Sequence, residues 1–395
     1  MLISFALIFL CGMLLGDLFK RMGLPSLLGM LMTGIVLGPS MLDVLDSTVL
    51  SISADLRQLA LIVILARAGL SLDIDDLKKA GRPAVLMCFV PACFEILGMA
   101  LLAPRLLHLS LLEAVVMGAV IAAVSPAVVV PKMLYLMEQG YGTDKHIPQI
   151  IMAGASVDDV FVIVLFTAAT GLAQGRAVSP LSLLRIPASI LTGIMTGIIL
   201  GVLCGLFFRR VHIRDSSKVV ILLSLAFLLV AAEQLNPLPF SGLLAVMTVG
   251  MTIQKQNAVL ADRLSDKYAK LWVAAEVILF VLVGAAVDLR YALGAGLPVV
   301  AVILGALAFR MLGVLVCMFR TNLSAKEKLF CMIAYIPKAT VQAAIGALPL
   351  AMGLPCGQVV LTTAVLSILI TAPLGALGTD LTYKKLLRRQ SSPID

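Results

Sequence analysis

Long apolar segments recur along the whole chain and are separated by short polar connections. Thirteen runs of about 18 to 26 residues can be delimited, and each matches the ~20 residues with which an α-helix crosses a bilayer core. The pattern therefore predicts an all-α polytopic membrane protein with about 13 transmembrane helices. The runs lie at 1–19, 22–41, 56–72, 84–104, 112–138, 147–172, 185–208, 217–234, 238–254, 270–288, 294–319, 327–349 and 357–377.

Composition agrees with membrane embedding. Of the 395 residues, 61% are hydrophobic and 13% are charged, which is far from the balance of a soluble domain. The seven cysteines fall mostly inside apolar runs without CxxC or His-linked spacing, so we interpret them as small buried hydrophobes. The sequence shows no nucleophile and base pair, metal-ligand cluster or Gly-rich phosphate loop, so we expect no enzyme, no cofactor and no nucleotide.

The net charge of +8 is scattered over short loops, which indicates membrane orientation and no nucleic-acid partner. Loops after odd-numbered runs, with the C-terminal tail, hold 22 Lys and Arg, whereas the N-terminus and the other loops hold 5. This asymmetry predicts that the N-terminus lies outside and that the basic tail 378–395 lies in the cytoplasm. Arg67, Arg310 and Lys338 lie within runs, and Arg67 is near enough to a run's end to extend towards water.

Short motifs return at one offset of 214 to 216 residues, which spans seven apolar runs. Because seven is odd, the two copies would cross the membrane in opposite directions, as in the inverted repeats of transporters. We predict a first repeat at 1–172, a linker helix at 185–208 and a second repeat at 217–377. The matches are Leu24-Pro25 with Leu238-Pro239, Met32-Thr33-Gly34 with Met247-Thr248-Val249-Gly250, Gly69 and Asp73 with Gly284 and Asp288, and Glu95 with Arg310.

Two prolines at corresponding places predict broken helices. Pro126 follows Ser125 near the middle of run 5, and Pro337 lies in the middle of run 12. An interior proline removes a backbone hydrogen bond and breaks or kinks a helix. A single proline would be explained by a kink alone, but the symmetric placement favours crossed broken helices, whose free backbone groups are tolerated beside a cavity.

Asp158 and Asp159 lie near the middle of run 6. An ionised carboxylate at that depth costs about 3 kcal/mol on insertion scales, so both need a reason to be there. Adjacent helical residues point about 100° apart, so the two side chains can have different roles. A proton and a hard cation can compete for such oxygens, with Ser125 as a further ligand. The alternative is a pair fully neutralised by internal salt bridges.

Three more charged residues lie near the middle of apolar runs. With the aspartates, Glu95, Arg310 and Lys338 give three negative charges and two positive ones, which leaves one negative charge. A sodium ion or a proton would neutralise that charge. Glu95 and Arg310 can form a buried bridge between the repeats. Lys338 either stands in for a cation where the broken helices cross or neutralises the C-terminal dipole of a half-helix.

These motifs resemble the monovalent cation:proton antiporters and are most similar to the NHA-type branch of sodium/proton exchangers. The resemblance extends over nearly the whole chain, and ASVDDV is its most specific motif. The motifs are ILARAGLSLD (64–73), AAVSPAVVVPKM (122–133), ASVDDV (155–160), VGAAVDL (283–289), FRMLGV (309–314) and YIPKATVQAAIG (335–346).

The resemblance implies a homodimer in lipid, in which a mobile ion-carrying core moves against a dimerisation domain. The core would comprise 84–172 and 294–377, and the remaining spans would form the dimerisation domain. Asp159 matches the main ion-binding aspartate, and Asp158 matches its neighbour. Many electrogenic relatives have lysine in place of Arg310, which cannot release a proton at ordinary pH. One or two protons per cation therefore both stay open.

We expect alternating access in which protons from outside displace Na⁺ or Li⁺ collected from the cytoplasm, a direction implied by the family. The expected location is a bacterial inner membrane. The alternative function is a sodium-coupled symporter of a small organic anion, which can use the same crossed helices. That alternative needs polar or cationic groups for its substrate, whereas Ala and Val predominate around the crossing.

Overall fold

The computed structural model describes all residues except 73–80, 175–179, 212, 236–239, 289, 291–293, 295 and 390–395, and eighteen helices account for most of the described part. The first nine are α1 (Leu2–Arg21), α2 (Ser26–Leu37), α3 (Ser47–Ser51), α4 (Ser53–Ser71), α5 (Gly81–Met87), α6 (Val90–Leu106), α7 (Leu111–Ile121), α8 (Pro126–Glu138) and α9 (Ile147–Ala173). The others are α10 (Pro180–Arg210), α11 (Asp215–Leu235), α12 (Gly242–Gln256), α13 (Ala258–Ala285), α14 (Gly296–Cys317), α15 (Ala325–Ala334), α16 (Thr340–Ile345), α17 (Leu348–Ala351) and α18 (Gly357–Leu386).

Within these described residues, nine helical segments are long and apolar enough to cross a membrane. Two of the remaining predicted runs form short helices, α2 with 12 residues and α12 with 15. A third contains α4, which carries the charged residues Asp55, Arg57 and Arg67. The run 327–349 is divided among α15, α16 and α17. The all-helical membrane class is confirmed, and the count of thirteen spans stays a prediction.

The chain divides into two compact units. The first comprises 1–54, 76–173 and 279–395, and it includes the whole of the predicted core. Inside this unit α6 packs along α14, while α7 packs against α6 and α9. The second unit comprises 55–75 and 174–278, and its helices α10 and α11 both pack on α12.

Two helices of the first unit begin with the same local signal. Ser110 caps α7 and Ser324 caps α15, and each serine accepts a hydrogen bond from the backbone N–H of the glutamate three residues later. Those glutamates, Glu113 and Glu327, accept in return from the backbone of the capping serine. Such a capping box satisfies two backbone donors that a helix start leaves free. The two caps are 214 residues apart, at the offset of the predicted repeat.

Each of these capped helices is interrupted before the end of its apolar run, and a second helix follows the interruption. The first pair is separated by Ala122–Ser125, and α8 restarts at Pro126, where a missing N–H costs no helical hydrogen bond. The second pair is separated by Tyr335–Ala339, which contains Pro337. Both predicted prolines therefore lie at or inside interruptions of the helical backbone.

Glycines allow α2 and α13 to touch backbone to backbone within the first unit. A Cβ added at Gly34 would lie 1.9 Å from the carbonyl oxygen of Val281, and one added at Gly284 would lie 2.1 Å from that of Leu31. Real Cβ atoms do not approach so closely, so a larger residue requires the backbones to separate. The two glycines fix how near these helices come.

An equivalent crossing joins α4 and α12 within the second unit. A Cβ added at Gly69 would lie 2.2 Å from the carbonyl oxygen of Met247, and one added at Gly250 would lie 2.7 Å from the backbone nitrogen of Leu70. The four glycines belong to the motifs matched at offsets 215 and 216. Of the other matched residues, Asp73, Leu238 and Pro239 lie outside the described part, and the inverted repeat stays a prediction.

We expect Gly34→Ala to lower the free energy of unfolding by at least about 2 kcal/mol, because the new methyl group meets a backbone atom that cannot move aside. Gly171→Ala on α9 is the matched control, since its Cβ would meet nothing within 4 Å. Thermal unfolding of the purified protein in detergent compares the two variants. Equal melting temperatures for Gly34→Ala and the unmodified protein would contradict the close crossing.

Candidate functional site

The two interrupted helices meet inside the first unit. The backbone N–H of Ser125, the last residue of the first interruption, donates to the carbonyl oxygen of Pro337 in the second at 2.8 Å. The Ser125 side chain is 1% exposed, so water does not compete for this contact. The hydrogen bond holds the two interruptions side by side, and four buried charged residues surround it.

Asp158 on α9 is fully buried beside the first interruption. Its Oδ2 accepts from the backbone N–H of Val124 at 2.8 Å and from Nη2 of Arg310 at 2.9 Å. The first contact provides an acceptor for a donor that the helix break exposes. The second pairs the carboxylate with a guanidinium group, which stays charged at any ordinary pH. Asp158 is thus held by both backbone and side chain.

Arg310 on α14 is 1% exposed and spreads its donors over four partners. Nε donates to the carbonyl oxygen of Tyr335 at 3.0 Å, and Nη1 donates to Glu95 at 2.9 Å and also to the carbonyl oxygen of Ala122. Nη2 serves Asp158. A buried guanidinium is stable when it is paired and its protons are hydrogen-bonded, and Arg310 meets both conditions.

Lys338 follows the second interruption and is fully buried. Its Nζ lies 2.7 Å from the Glu95 carboxylate and donates to the carbonyl oxygen of Ile121 at 2.8 Å. Ile121 ends α7, so the ammonium group also faces the negative end of a half-helix. Glu95 and Asp158 carry two negative charges, and Arg310 and Lys338 carry two positive ones, so these four residues are balanced.

Asp159 stands apart from this balanced set. Its Oδ1 is buried without a hydrogen-bond partner, and none of the ion pairs found in the described residues includes it. Oδ1 of Asp158 and Oγ of Ser125 likewise have no hydrogen-bond partner. A buried acceptor without a donor costs about 1–3 kcal/mol, which a bound cation or proton would remove. Among the described residues, Asp159 thus has no ion-pair partner, and two further buried side-chain oxygens have no hydrogen bond.

Three backbone carbonyls at the first interruption have side-chain donors, although broken helices are expected to leave backbone groups free. Lys338 and Gln342 donate to Ile121, Arg310 donates to Ala122, and Gln342 donates to Ala123. These three carbonyls, from the last residue of α7 and the first two residues of the interruption, therefore already have side-chain donors.

Sequence analysis missed two residues of this cluster, Tyr335 and Gln342. The Tyr335 ring lies 5.0 Å from the Arg310 guanidinium, and its hydroxyl donates to the carbonyl oxygen of Met87 at 3.0 Å. Gly154 makes room for it, because a Cβ there would lie 2.8 Å from the hydroxyl oxygen. Both missed residues lie in the motif that contains Pro337 (335–346), so the motif includes them. They are neutral, and their polarity did not mark them as members of the site.

The fold and site together define a class of protein. An all-helical membrane chain whose two interrupted helices meet among buried charged groups has the architecture of a secondary transporter. The fold resembles two solved structures, both of the sodium proton antiporter MjNhaP1 from Methanocaldococcus jannaschii. The first has a TM-score of 0.84 and 20% identity over 97% of both chains, and the second has a TM-score of 0.77.

Sequence comparison then gives the family. The profile of the family described as "Sodium/hydrogen exchanger, transmembrane" matches residues 5–385. Sodium/hydrogen exchanger 9B2 of Homo sapiens is 34% identical over 98% of this chain and 75% of its own length, and sodium/hydrogen exchanger 9B1 of Homo sapiens is 31% identical over 94% and 74%. The chain belongs to the sodium/hydrogen exchanger family. It is a transporter and not an enzyme.

We expect Glu95→Gln to destabilise the protein by about 3 to 5 kcal/mol, because it leaves two buried cations with one carboxylate. Adding Lys338→Met should restore part of that loss by removing the excess cation. Thermal unfolding of the single and double variants measures this coupling. Lys132→Met is the control, because its partly exposed ion pair with Asp380 contributes about 1 kcal/mol or less. Additive losses in the double variant would contradict a balanced cluster.

Proposed function

We propose that the chain exchanges Na⁺ or Li⁺ for protons by alternating access, with Asp159 as the group for which ion and proton compete. The observation that carries this proposal is that Asp159 is the acidic residue of the cluster without a cationic partner. A cation or a proton neutralises it equally well. The transport cycle requires no cofactor beyond the exchanged ions.

The neighbouring oxygens supply the rest of the proposed site. Asp158 keeps Oδ2 on Arg310 and Val124, and its Oδ1 is free to bind a cation. Ser125 contributes Oγ, and it follows Val124 directly in the chain. Carboxylate and hydroxyl oxygens suit small hard cations. Family membership favours this exchange over the sodium-coupled symport of an organic anion.

The cluster also supports a stoichiometry of one cation for one proton. Arg310 cannot give up its proton, and Lys338 is bound to Glu95 and to the carbonyl oxygen of Ile121. Neither basic residue is then available to carry a second proton. Because Asp159 alone changes its occupant, each half of the cycle moves one positive charge.

The wider architecture of the transporter belongs to the same proposal. The core of 84–172 and 294–377 would move against a dimerisation domain made from the remaining spans, in a homodimer within a bacterial inner membrane. The thirteen spans follow from the apolar runs, and the loop charges favour an N-terminus outside and a tail in the cytoplasm. The paired glycine crossings and the paired capping boxes support two inverted repeats of six helices joined by the helix at 185–208.

We expect Asp159→Asn to abolish exchange and Asp158→Asn to impair both exchange and folding. Asp159 has no partner to lose, so its variant should keep the melting temperature of the unmodified protein. Asp158→Asn weakens the pairing of Arg310 and should cost about 3 kcal/mol of stability. The assay adds Na⁺, Li⁺ or K⁺ to everted vesicles and follows proton movement by dequenching of a pH-sensitive dye.

Thermal unfolding with and without Na⁺ provides an independent measure of ion binding. The unmodified protein should be stabilised by Na⁺, whereas Asp159→Asn should not respond. Cation-dependent proton movement in a folded Asp159→Asn variant would exclude this carboxylate as the exchange site. Failure of every tested cation to move protons in the unmodified protein would exclude the antiport itself.

We expect the exchange rate in proteoliposomes to be independent of the membrane potential, because one positive charge moves in each direction. Potentials of either sign can be set with K⁺ gradients and valinomycin while Na⁺-driven proton movement is recorded. A known electrogenic exchanger in the same liposomes is the control. A rate that changes with the sign of the potential would contradict the one-for-one exchange.

A further inference from the structure

Gln342 is a fully buried amide in the half-helix α16. Its Nε2 donates to the carbonyl oxygens of Ile121 at 3.0 Å and Ala123 at 2.8 Å. These carbonyls belong to the end of α7 and to the interruption after it, so Gln342 connects the two interrupted helices. Its other polar atom, Oε1, is buried without a hydrogen-bond partner.

The orientation of this amide follows from its partners. A flipped amide would place Oε1 against two carbonyl oxygens, which have no proton to offer. Nε2 has two protons and finds one acceptor for each. The amide therefore acts as a double donor at this position, although its oxygen remains unsatisfied.

The carbonyls that Gln342 holds are close in sequence to the proposed ion ligands. Ala123 lies two residues before Ser125 and one before Val124, whose N–H binds Asp158. Among the described residues, Gln342 supplies the hydrogen bond from a side chain to the Ala123 carbonyl. Without this amide, the Ala123 carbonyl would lose its side-chain donor, and both of its lone pairs would be available to a cation. Backbone carbonyls are the ligands from which potassium filters are built.

We propose that Gln342 is a positioning residue for cation selectivity, because its amide binds the Ala123 carbonyl and so keeps that oxygen from the transported ion, whereas the Ile121 carbonyl is also bound by Lys338. The ion is then held by carboxylate and hydroxyl oxygens of Asp158, Asp159 and Ser125. Such a small charged ligand set favours Na⁺ and Li⁺, whereas added neutral carbonyls favour the larger and more easily dehydrated K⁺. This inference rests on the proposed cation exchange and adds a specificity determinant to it.

The test replaces Gln342 by methionine, which has a similar length and no donor. In the dye assay, KM is measured for Na⁺, Li⁺ and K⁺ with the unmodified protein and with Gln342→Met. The ratio of the KM for K⁺ to the KM for Na⁺ should fall about tenfold, the size of effect expected from one hydrogen-bonded group. A purely structural role would lower kcat or the amount of folded protein and leave this ratio unchanged.

Thr363→Val is the matched control for the loss of a buried polar group. Thr363 is fully buried on α18 and donates to the carbonyl oxygen of Val359 in its own helix at 2.6 Å. Its replacement leaves the carbonyls of the interruption bound. The ratio of KM values should therefore stay as in the unmodified protein, and a fall as large as that of Gln342→Met would overturn the proposal.

Gln342→Asn provides a second variant if the methionine variant is not recovered in folded form. It keeps the amide but is one methylene shorter, so it cannot reach both carbonyls, and the ratio should fall in the same direction. An unchanged ratio in a folded variant overturns the role of Gln342 while exchange by the unmodified protein continues. Absence of exchange by the unmodified protein would instead contradict the proposed function, and the inference with it.

Discussion

A guanidinium group that keeps its proton at any ordinary pH occupies the middle of the buried cluster, and much of the site follows from the need to satisfy it. Arg310 contacts Glu95, Asp158 and the carbonyl oxygens of Ala122 and Tyr335. Loss of either charged partner would leave an uncompensated buried charge, which costs several kcal/mol. The need to satisfy Arg310 therefore fixes the positions of its partners as well. These partners come from α6, α9 and both interruptions, and Arg310 thereby joins them.

This pairing separates four charges that are bound to one another from Asp159, the charge that we propose is exchanged. Adjacent aspartates in the same helix differ in their contacts, because Asp158 pairs with Arg310 and no ion pair of the described residues includes Asp159. The carboxylate that is bound cannot release its partner without a large loss of stability, whereas the unpaired one can change its occupant at little structural cost. Under the proposed function, the same separation would let a cluster of five charged residues lie in a membrane protein and bind an ion reversibly.

Sequence alone located the charged members of the site, because each is conspicuous in an apolar run. It also placed both interruptions, because two prolines lie at corresponding places of the predicted repeats, whereas single prolines such as Pro131 and Pro373 lie inside continuous helices. It left open whether Asp158 or Asp159 is paired, because neighbours in a helix have the same hydrophobic surroundings in the sequence. Gln342 escaped notice because a neutral amide carries no insertion penalty as large as that of a charge. The repeated capping box Ser-x-x-Glu was a readable signal that sequence analysis did not use.

The two capping boxes fix where each helix starts, so the number of residues from the cap to the interruption determines where the helix ends. Ser110 fixes the start of α7, which ends at Ile121, and Ser324 fixes the start of α15, which ends at Ala334. Inserting one residue between cap and end would turn the terminal carbonyls by about 100° and advance them by about 1.5 Å. Each half-helix therefore sets the distance and the rotation between its capped start and the candidate site. Its length should tolerate change less readily than most of the side chains along it.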